Sequence, residues 1–363
     1  MTQRDAGILA DADIAALFES GLLKSARPLD VDQIQPASLD LRLGAKAYRV
    51  RASFMPGPGT PVIDKLERLK LHEIDLTAGA VLETGCVYIV PLLESLSLSP
   101  ELSASANPKS STGRLDIFTR VITDGAQEFD KVPAGYKGPL YLEVSPRTFP
   151  IVARTGSRLS QIRFRKGRAQ LSEAELATLH QNETLVASEM PNISGGGIAL
   201  SVDLSGGEDK LIGYRGKHHT AVVDVDKRAA HDVLDFWEPI YDRGSRELVL
   251  DPDEFYILVS REAVHVPPLF AAEMTPFDPL VGEFRVHYAG FFDPGFGHSS
   301  AGGTGSRAVL EVRSHEVPFI LEHGQIVGRL VYEHMLNRPK ALYGVDLGSN
   351  YQAQQLKLSK HFR

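Results

Sequence analysis

Between residues 107 and 144 the chain sets out two groups that could do chemistry together. The first is Lys109-Ser110-Ser111-Thr112-Gly113-Arg114, a run of hydrogen-bond donors. The second is Glu143, a carboxylate set among apolar residues in Leu140-Tyr141-Leu142-Glu143-Val144. A lysine, a guanidinium and two hydroxyls suit a phosphate ester, because ionised donors make the shortest and strongest bonds to anionic oxygens. A carboxylate on a strand with apolar neighbours suits a general base, since desolvation raises its pKa toward neutrality. Each part alone has an ordinary explanation. Ser and Gly populate turns for local reasons, and a strand Glu commonly faces water. Together they read as a nucleotide site with a hydrolytic base.

Composition narrows the choice. The 363 residues are 43% hydrophobic and 23% charged, enough for two domains of common size. The net charge of −7 disfavours a protein that tracks a nucleic-acid polymer, while a local basic pocket for a small anion stays open. Cys86 is the only cysteine, so no internal disulfide exists and nothing calls for secretion. Nucleobase deaminases that use zinc need a His/Cys-Cys site, which one cysteine cannot supply, and no His-Glu-x-x-His occurs. Hydrolysis would then use water activated by a carboxylate, with no zinc. The longest apolar runs meet a charge within a few residues, so no membrane span is expected. The first residues lack the layout of a signal peptide, and the expected location is cytoplasmic.

The elements that must hold these groups are mostly short strands. Residues 11–21 predict a helix with Ile14, Leu17 and Phe18 on one side. Leu39, Leu41 and Leu43 alternate with Asp40 and Arg42 as in a half-buried strand. Residues 82–90, 95–102 and 149–164 predict further strands, and Ser172-Glu173-Ala174-Glu175 is a capping box. Residues 188–210 loosen around Gly195-Gly196-Gly197, and residues 226–237 predict a second helix. Several landmarks then recur at an offset of about 168: Tyr88 with Tyr256, Glu143 with Glu311, and Gly156 with Gly324. A fixed offset of domain length signals a duplicated fold. The expectation is an all-β protein of two copies, residues 1–204 and 205–363, each a jelly roll or barrel with short flanking helices.

Four stretches resemble one family. They are residues 35–44, the Lys109-Ser110-Ser111-Thr112-Gly113-Arg114 run, Gly135-Tyr136-Lys137-Gly138 followed by Leu142-Glu143, and Gly156-Ser157-Arg158-Leu159-Ser160-Gln161-Ile162. The chain resembles the dCTP deaminases of the trimeric dUTPase superfamily over residues 8–165, and less closely through the second copy. The resemblance implies a distorted, dUTPase-like jelly roll and conversion of dCTP to dUTP and ammonia. It places the water-activating glutamate on Glu143, with Ser110 and Arg114 beside the reacting C4. Lys109 and Ser111 fall on triphosphate contacts, and Val121, Ile122 and Thr123 on the base pocket. Asp130 and Tyr136 fall where the deoxyribose is recognised, and Gln161 in the last core motif. Magnesium is implied through the substrate triphosphate, and a homo-oligomer with sites at domain or subunit interfaces.

The chain also departs from the family. Lys109 replaces an arginine and so loses the bidentate fork. Residues 124–131 are longer than the usual turn. The second copy has residues 275–282 where Ser-Ser-x-x-Arg should stand, yet it keeps Asp293-Pro294-Gly295-Phe296-Gly297 and Leu310-Glu311, so Glu311 is a second-copy candidate. The segment that covers the phosphates falls either on Tyr214 with Lys217 or on Tyr351 with Gln352 and Gln354. Two further readings fit the same residues. One is a dUTP pyrophosphatase or a bifunctional enzyme yielding dUMP; the other is a non-catalytic nucleotide-binding β protein.

Overall fold

The computed structural model describes residues 5–188, 191–276, 284–287, 290–314, 316–344 and 355–363. Strands dominate and helices are few and short. In the first half one sheet runs Gly7–Ile8, Ser160–Lys166, Leu102–Pro108, Lys131–Val132, with Leu39–Leu41 also on Ser160–Lys166. A second sheet runs Lys70–Asp75, Lys46–Val50, Val87–Ser97, Lys137–Pro146, Ile117–Thr123. The apolar faces of these strands, with Leu41, Val90, Leu142 and Phe164 among them, close one core.

The second half repeats this order. Gly197–Ser201, Ile326–His334, Phe270–Pro276 and Phe291–Phe292 form one sheet, and Trp237–Tyr241, Leu211–Gly216, Tyr256–Val264, Ser306–Ser314 and Phe284–His287 the other. The correspondence reaches single residues. Glu143 stands opposite Ile89, and Glu311 opposite Ile257. The Tyr88 hydroxyl accepts the backbone N–H of Glu83 at 3.0 Å, and the Tyr256 hydroxyl that of Asp251 at 3.0 Å.

Four expectations change. The hand-over between halves comes earlier than 204–205, because Leu171, Leu176, Leu185 and the Gly197–Ser201 strand pack into the second core. Gly195 and Gly196 do not make a linker; at φ of 59° and 77° they turn the hairpin from Ile193–Ser194 into Gly197–Ser201. Residues 87–97 form one strand rather than parts of two, with the register shift opposite Pro91 absorbing its missing N–H. Only Val233–Phe236 of residues 226–237 is helical. The backbone before it is committed elsewhere: the N–H groups of Ala229 and Ala230 donate to the carbonyls of Lys360 and His361.

That commitment stitches the halves together. Val223–Asp224 adds in parallel to the first half's Ile151–Ala153 strand. Phe236, Trp237, Phe255 and the C-terminal Phe362 enter the first core, where the Phe149 and Trp237 rings meet edge-on at 5.2 Å. Such ring pairs contribute about 0.5–1.5 kcal/mol each beyond burial. No helix of the described residues is long and apolar enough to cross a membrane.

Candidate active site

The donor run folds as a single helical turn, Ser110–Gly113, leaving the Leu102–Pro108 strand. Ser111 and Arg114 are almost wholly buried there. The turn is locked from outside the first half. The Arg114 Nη1 donates to the Lys357 carbonyl at 3.0 Å, and the Ser359 hydroxyl donates to the Ser111 carbonyl at 2.8 Å. The carboxylate facing Arg114 is that of Glu311, at 3.9 Å from its Nε. Burial pushes Glu311 up to about 8, and the Arg114 charge opposes that rise.

Arg114 and Glu311 sit in a cavity of about 510 Å³ that both halves line. That volume falls within the usual range for a small-molecule site. Val309, Met274, Phe291, Phe292 and Phe296 supply the cavity's apolar lining. Lys109, Arg158, Arg228 and Lys360 supply cations, interspersed with Asp30, Asp32, Asp40 and Asp226. Lys109 is ion-paired to Asp40, while Arg158 reaches Asp30 at 2.6 Å and Asp32 at 2.8 Å. Burial, and then the neighbouring charges of Lys109 and Arg228, lower Lys360 to about 8. Crowded cations of this kind are relieved by an anion.

Of the residues expected from sequence, Lys109, Ser110, Ser111, Arg114, Gln161 and Glu311 line this cavity. Gln161 is held at its edge, its Oε1 accepting the Ser38 hydroxyl at 3.3 Å.

Glu143 lies elsewhere. It is 1% exposed, and Arg120 on the adjacent strand donates to its Oε1 through Nε at 3.0 Å and Nη2 at 2.5 Å. The Arg120 guanidinium lies 3.5 Å from the Phe129 ring centroid and 4.7 Å from that of Phe118. Side chains alternate along a strand, so Tyr141 and Glu143 share a face. That face is roofed by residues 53–69: Ser53 accepts from Arg120 at 2.8 Å, and Val62 and Leu66 pack against Ile89, Ile122 and Tyr141.

The other first-half candidates hold this region together. Val121 is in the main core and Ile122 under the roof. Thr123 is buried at the end of the same strand. Asp130 accepts the Val121 N–H at 2.7 Å, and burial carries it to about 7. The Tyr136 hydroxyl donates to the Pro139 carbonyl at 2.6 Å and accepts the Asp124 N–H at 3.1 Å. Tyr214 packs against the first core, and Lys217 donates to the Leu234 carbonyl at 2.6 Å. Tyr351, Gln352 and Gln354 lie outside the described residues, as do residues 277–282 of the stretch expected to replace the donor run in the second half.

Sequence reasoning missed the aromatic side and the cations Arg158, Arg228 and Lys360. A signal existed for the first: Asp293-Pro294-Gly295-Phe296-Gly297 precedes Leu310-Glu311 as a glycine turn precedes the Glu strand in the family pattern.

The chain is similar to known proteins. Family models for the N-terminal and C-terminal domains of 2'-deoxycytidine 5'-triphosphate deaminase match residues 5–168 and 172–362. A dCTP deaminase of Halorubrum lacusprofundi is 34% identical over 161 residues, spanning 43% of this chain and 76% of that protein. A dUMP-forming dCTP deaminase of Tropheryma whipplei is 31% identical over 158 residues, with the same two shares, 43% and 76%. A crystal structure of 2'-deoxycytidine 5'-triphosphate deaminase from Agrobacterium tumefaciens superposes with a TM-score of 0.88 at 78% identity, covering 93% of this chain and all of that one.

Proposed function

Because the chain belongs to the 2'-deoxycytidine 5'-triphosphate deaminase family, and so hydrolyses the C–N bond of the dCTP amine, we propose that it does this in one cavity built by both halves, with Glu311 as its base. The observation that carries the reading is the pairing of Arg114 from the first half with Glu311 from the second. In this reading residues 5–168 and 172–362 are tandem copies of a distorted, dUTPase-like jelly roll. Each has kept half of a site: the donor turn in the first, the Leu-Glu strand and aromatic wall in the second.

The cytosine lies against the apolar side with C4 toward Glu311. Water attacks C4, and the ionised Glu311 takes its proton. The same carboxyl then returns a proton to the departing amine, which leaves as ammonia. A carboxyl whose pKa lies near neutrality serves both steps. Arg114 favours the ionised form and fixes its direction, and Ser110 lines the cavity beside it as a further donor. The phosphates extend toward Lys109, Ser111, Arg158, Lys360 and Arg228.

Magnesium, when bound with the triphosphate, neutralises phosphate charge. Among the described residues no group of three or more His, Cys, Asp or Glu could hold a metal. Asp30 and Asp32 line the cavity and would offer carboxylates to a cation held mainly by phosphate oxygens. In this reading the described residues of one chain bring the donor turn and Glu311 into the same cavity, and a homo-oligomer would add to it at the subunit interface.

Incubation with dCTP, following ammonia, dUTP, dUMP and pyrophosphate, tests the reading. Ammonia with dUTP supports it. Ammonia with pyrophosphate and dUMP would favour the bifunctional reading, to which the name of the Tropheryma whipplei relative points. Binding of dCTP without ammonia would refute it.

A further inference from the structure

Arg163 stands in the Ser160–Lys166 strand of the first half, is 0% exposed, and directs its guanidinium into the second half. Its Nη1 donates to the Ala272 carbonyl at 3.1 Å and lies 3.6 Å from Glu333. Its Nη2 donates to the Phe292 carbonyl at 3.4 Å and to Asp293 Oδ1 at 3.2 Å. The guanidinium carbon lies 4.0 Å from the Phe291 ring centroid. Removing a guanidinium from water is costly before its bonds are counted. A hydrocarbon side chain would join the halves without that cost, so the residue type asks for a further reason.

The reason lies in where the contacts converge. Phe291, Phe292 and Asp293 are consecutive, and all three line the cavity. The base end of the cavity is at Glu311 and Arg114, and the phosphate end at Lys109 and Arg158, so the sugar must lie between. Asp293 lines that cavity while its Oδ1 accepts from Arg163. A buried carboxylate there is an acceptor for a sugar hydroxyl. Beside it, Phe292 and Phe296 meet edge-on at 5.0 Å. A 2'-hydroxyl pressed against such rings loses water and gains no bond, whereas a 2'-methylene loses nothing.

We infer that Arg163 is a positioning residue for sugar recognition: it fixes the Phe291-Phe292-Asp293 wall from the neighbouring half and so sets the preference for deoxyribose over ribose. The inference rests on the cavity being the dCTP site. Arg163 touches no substrate in this reading; it acts through Asp293 and the rings. Its charge also opposes the burial that would protonate Asp293.

The test uses the full chain with Arg163→Met and Arg163→Lys, reading kcat and KM for dCTP and CTP, and dissociation constants for both by calorimetry. Arg163→Met should raise the KM and Kd for dCTP tenfold or more, leave kcat within about fivefold, and lower the dCTP-to-CTP preference tenfold or more. Arg163→Lys should recover part of that preference. Should Arg163→Met fail to fold because Asp293 is left uncompensated, Arg163→Lys, which keeps the charge and loses the fork, should fold and still show a loosened preference. An unchanged preference in the folded variants, or a loss of kcat alone, overturns the inference. Calorimetry reads the wall even without turnover, so a wild-type chain that releases no ammonia would refute the functional reading and leave this one separately decided.

Discussion

Two isosteric substitutions separate the two carboxylates, of which the sequence reading put Glu143 first. Glu311→Gln removes the proposed base and keeps its shape, and loss of a positioned acid–base group lowers turnover by about 10²–10⁴. The same variant should be more stable than wild type at high pH. Glu311 is carried from its ordinary 4.5 to about 8, chiefly by burial. The folded protein thus binds that proton more tightly than the unfolded chain. The resulting stability is fully present below about pH 4.5 and is lost as pH rises through about 8. At about 1.4 kcal/mol per pH interval of one, the ionised carboxylate costs the wild type at most about 5 kcal/mol at pH 9. Glutamine escapes that cost, so the melting midpoint of Glu311→Gln should exceed wild type by several degrees at pH 9 and converge on it near pH 5. Glu143→Gln should behave oppositely. It breaks a charged pair with Arg120 and destabilises by about 1–3 kcal/mol, with kcat for dCTP within about threefold of wild type. Ammonia release and thermal melts at pH 5, 7 and 9 read both variants. Retained turnover in Glu311→Gln, together with lost turnover in a folded Glu143→Gln, would refute the composite site.

Three further outcomes follow from the same geometry. Arg114→Met removes the charge that opposes the rise of Glu311, so the acid limb of kcat/KM should move from near pH 8 to higher pH, alongside a fall in kcat of about tenfold or more; a limb that stays or moves down argues against the pair. Lys360→Met should raise KM for dCTP roughly tenfold with a smaller effect on kcat, as expected of a phosphate contact; an equal loss in kcat with unchanged KM would place the residue elsewhere in the reaction. Leu66→Ala opens a void under the roof on the Glu143 face and should cost about 2–5 kcal/mol in urea melts while leaving KM and kcat near wild type; a large loss of turnover would show that this face carries chemistry.

What the sequence made legible was what repeats or lies close along the chain. The offset of 168 anticipated strands that pair alike, down to the two tyrosine hydroxyls that bond five residues back. The donor turn was legible because its residues are consecutive. What stayed hidden depended on neighbours across a sheet. Arg120 precedes Glu143 by 23 residues and carries no mark of being its partner; only the pairing of Ile117–Thr123 with Lys137–Pro146 sets them side by side. The roof over them was hidden too, since residues 55–60 read as loop by composition and Val62–Leu69 is a helix with only Val62 and Leu66 buried. Lys360 and Arg228 gave no signal because they reach the cavity through a tail and a crossover that pack on the other half. The two carboxylates were hidden in the same way. The first half has both the donor run and Leu142-Glu143 within forty residues, so reading along the chain puts Glu143 beside the donors. Pairing across the sheet instead gives Glu143 to Arg120, and packing between the halves is what brings Glu311 to Arg114.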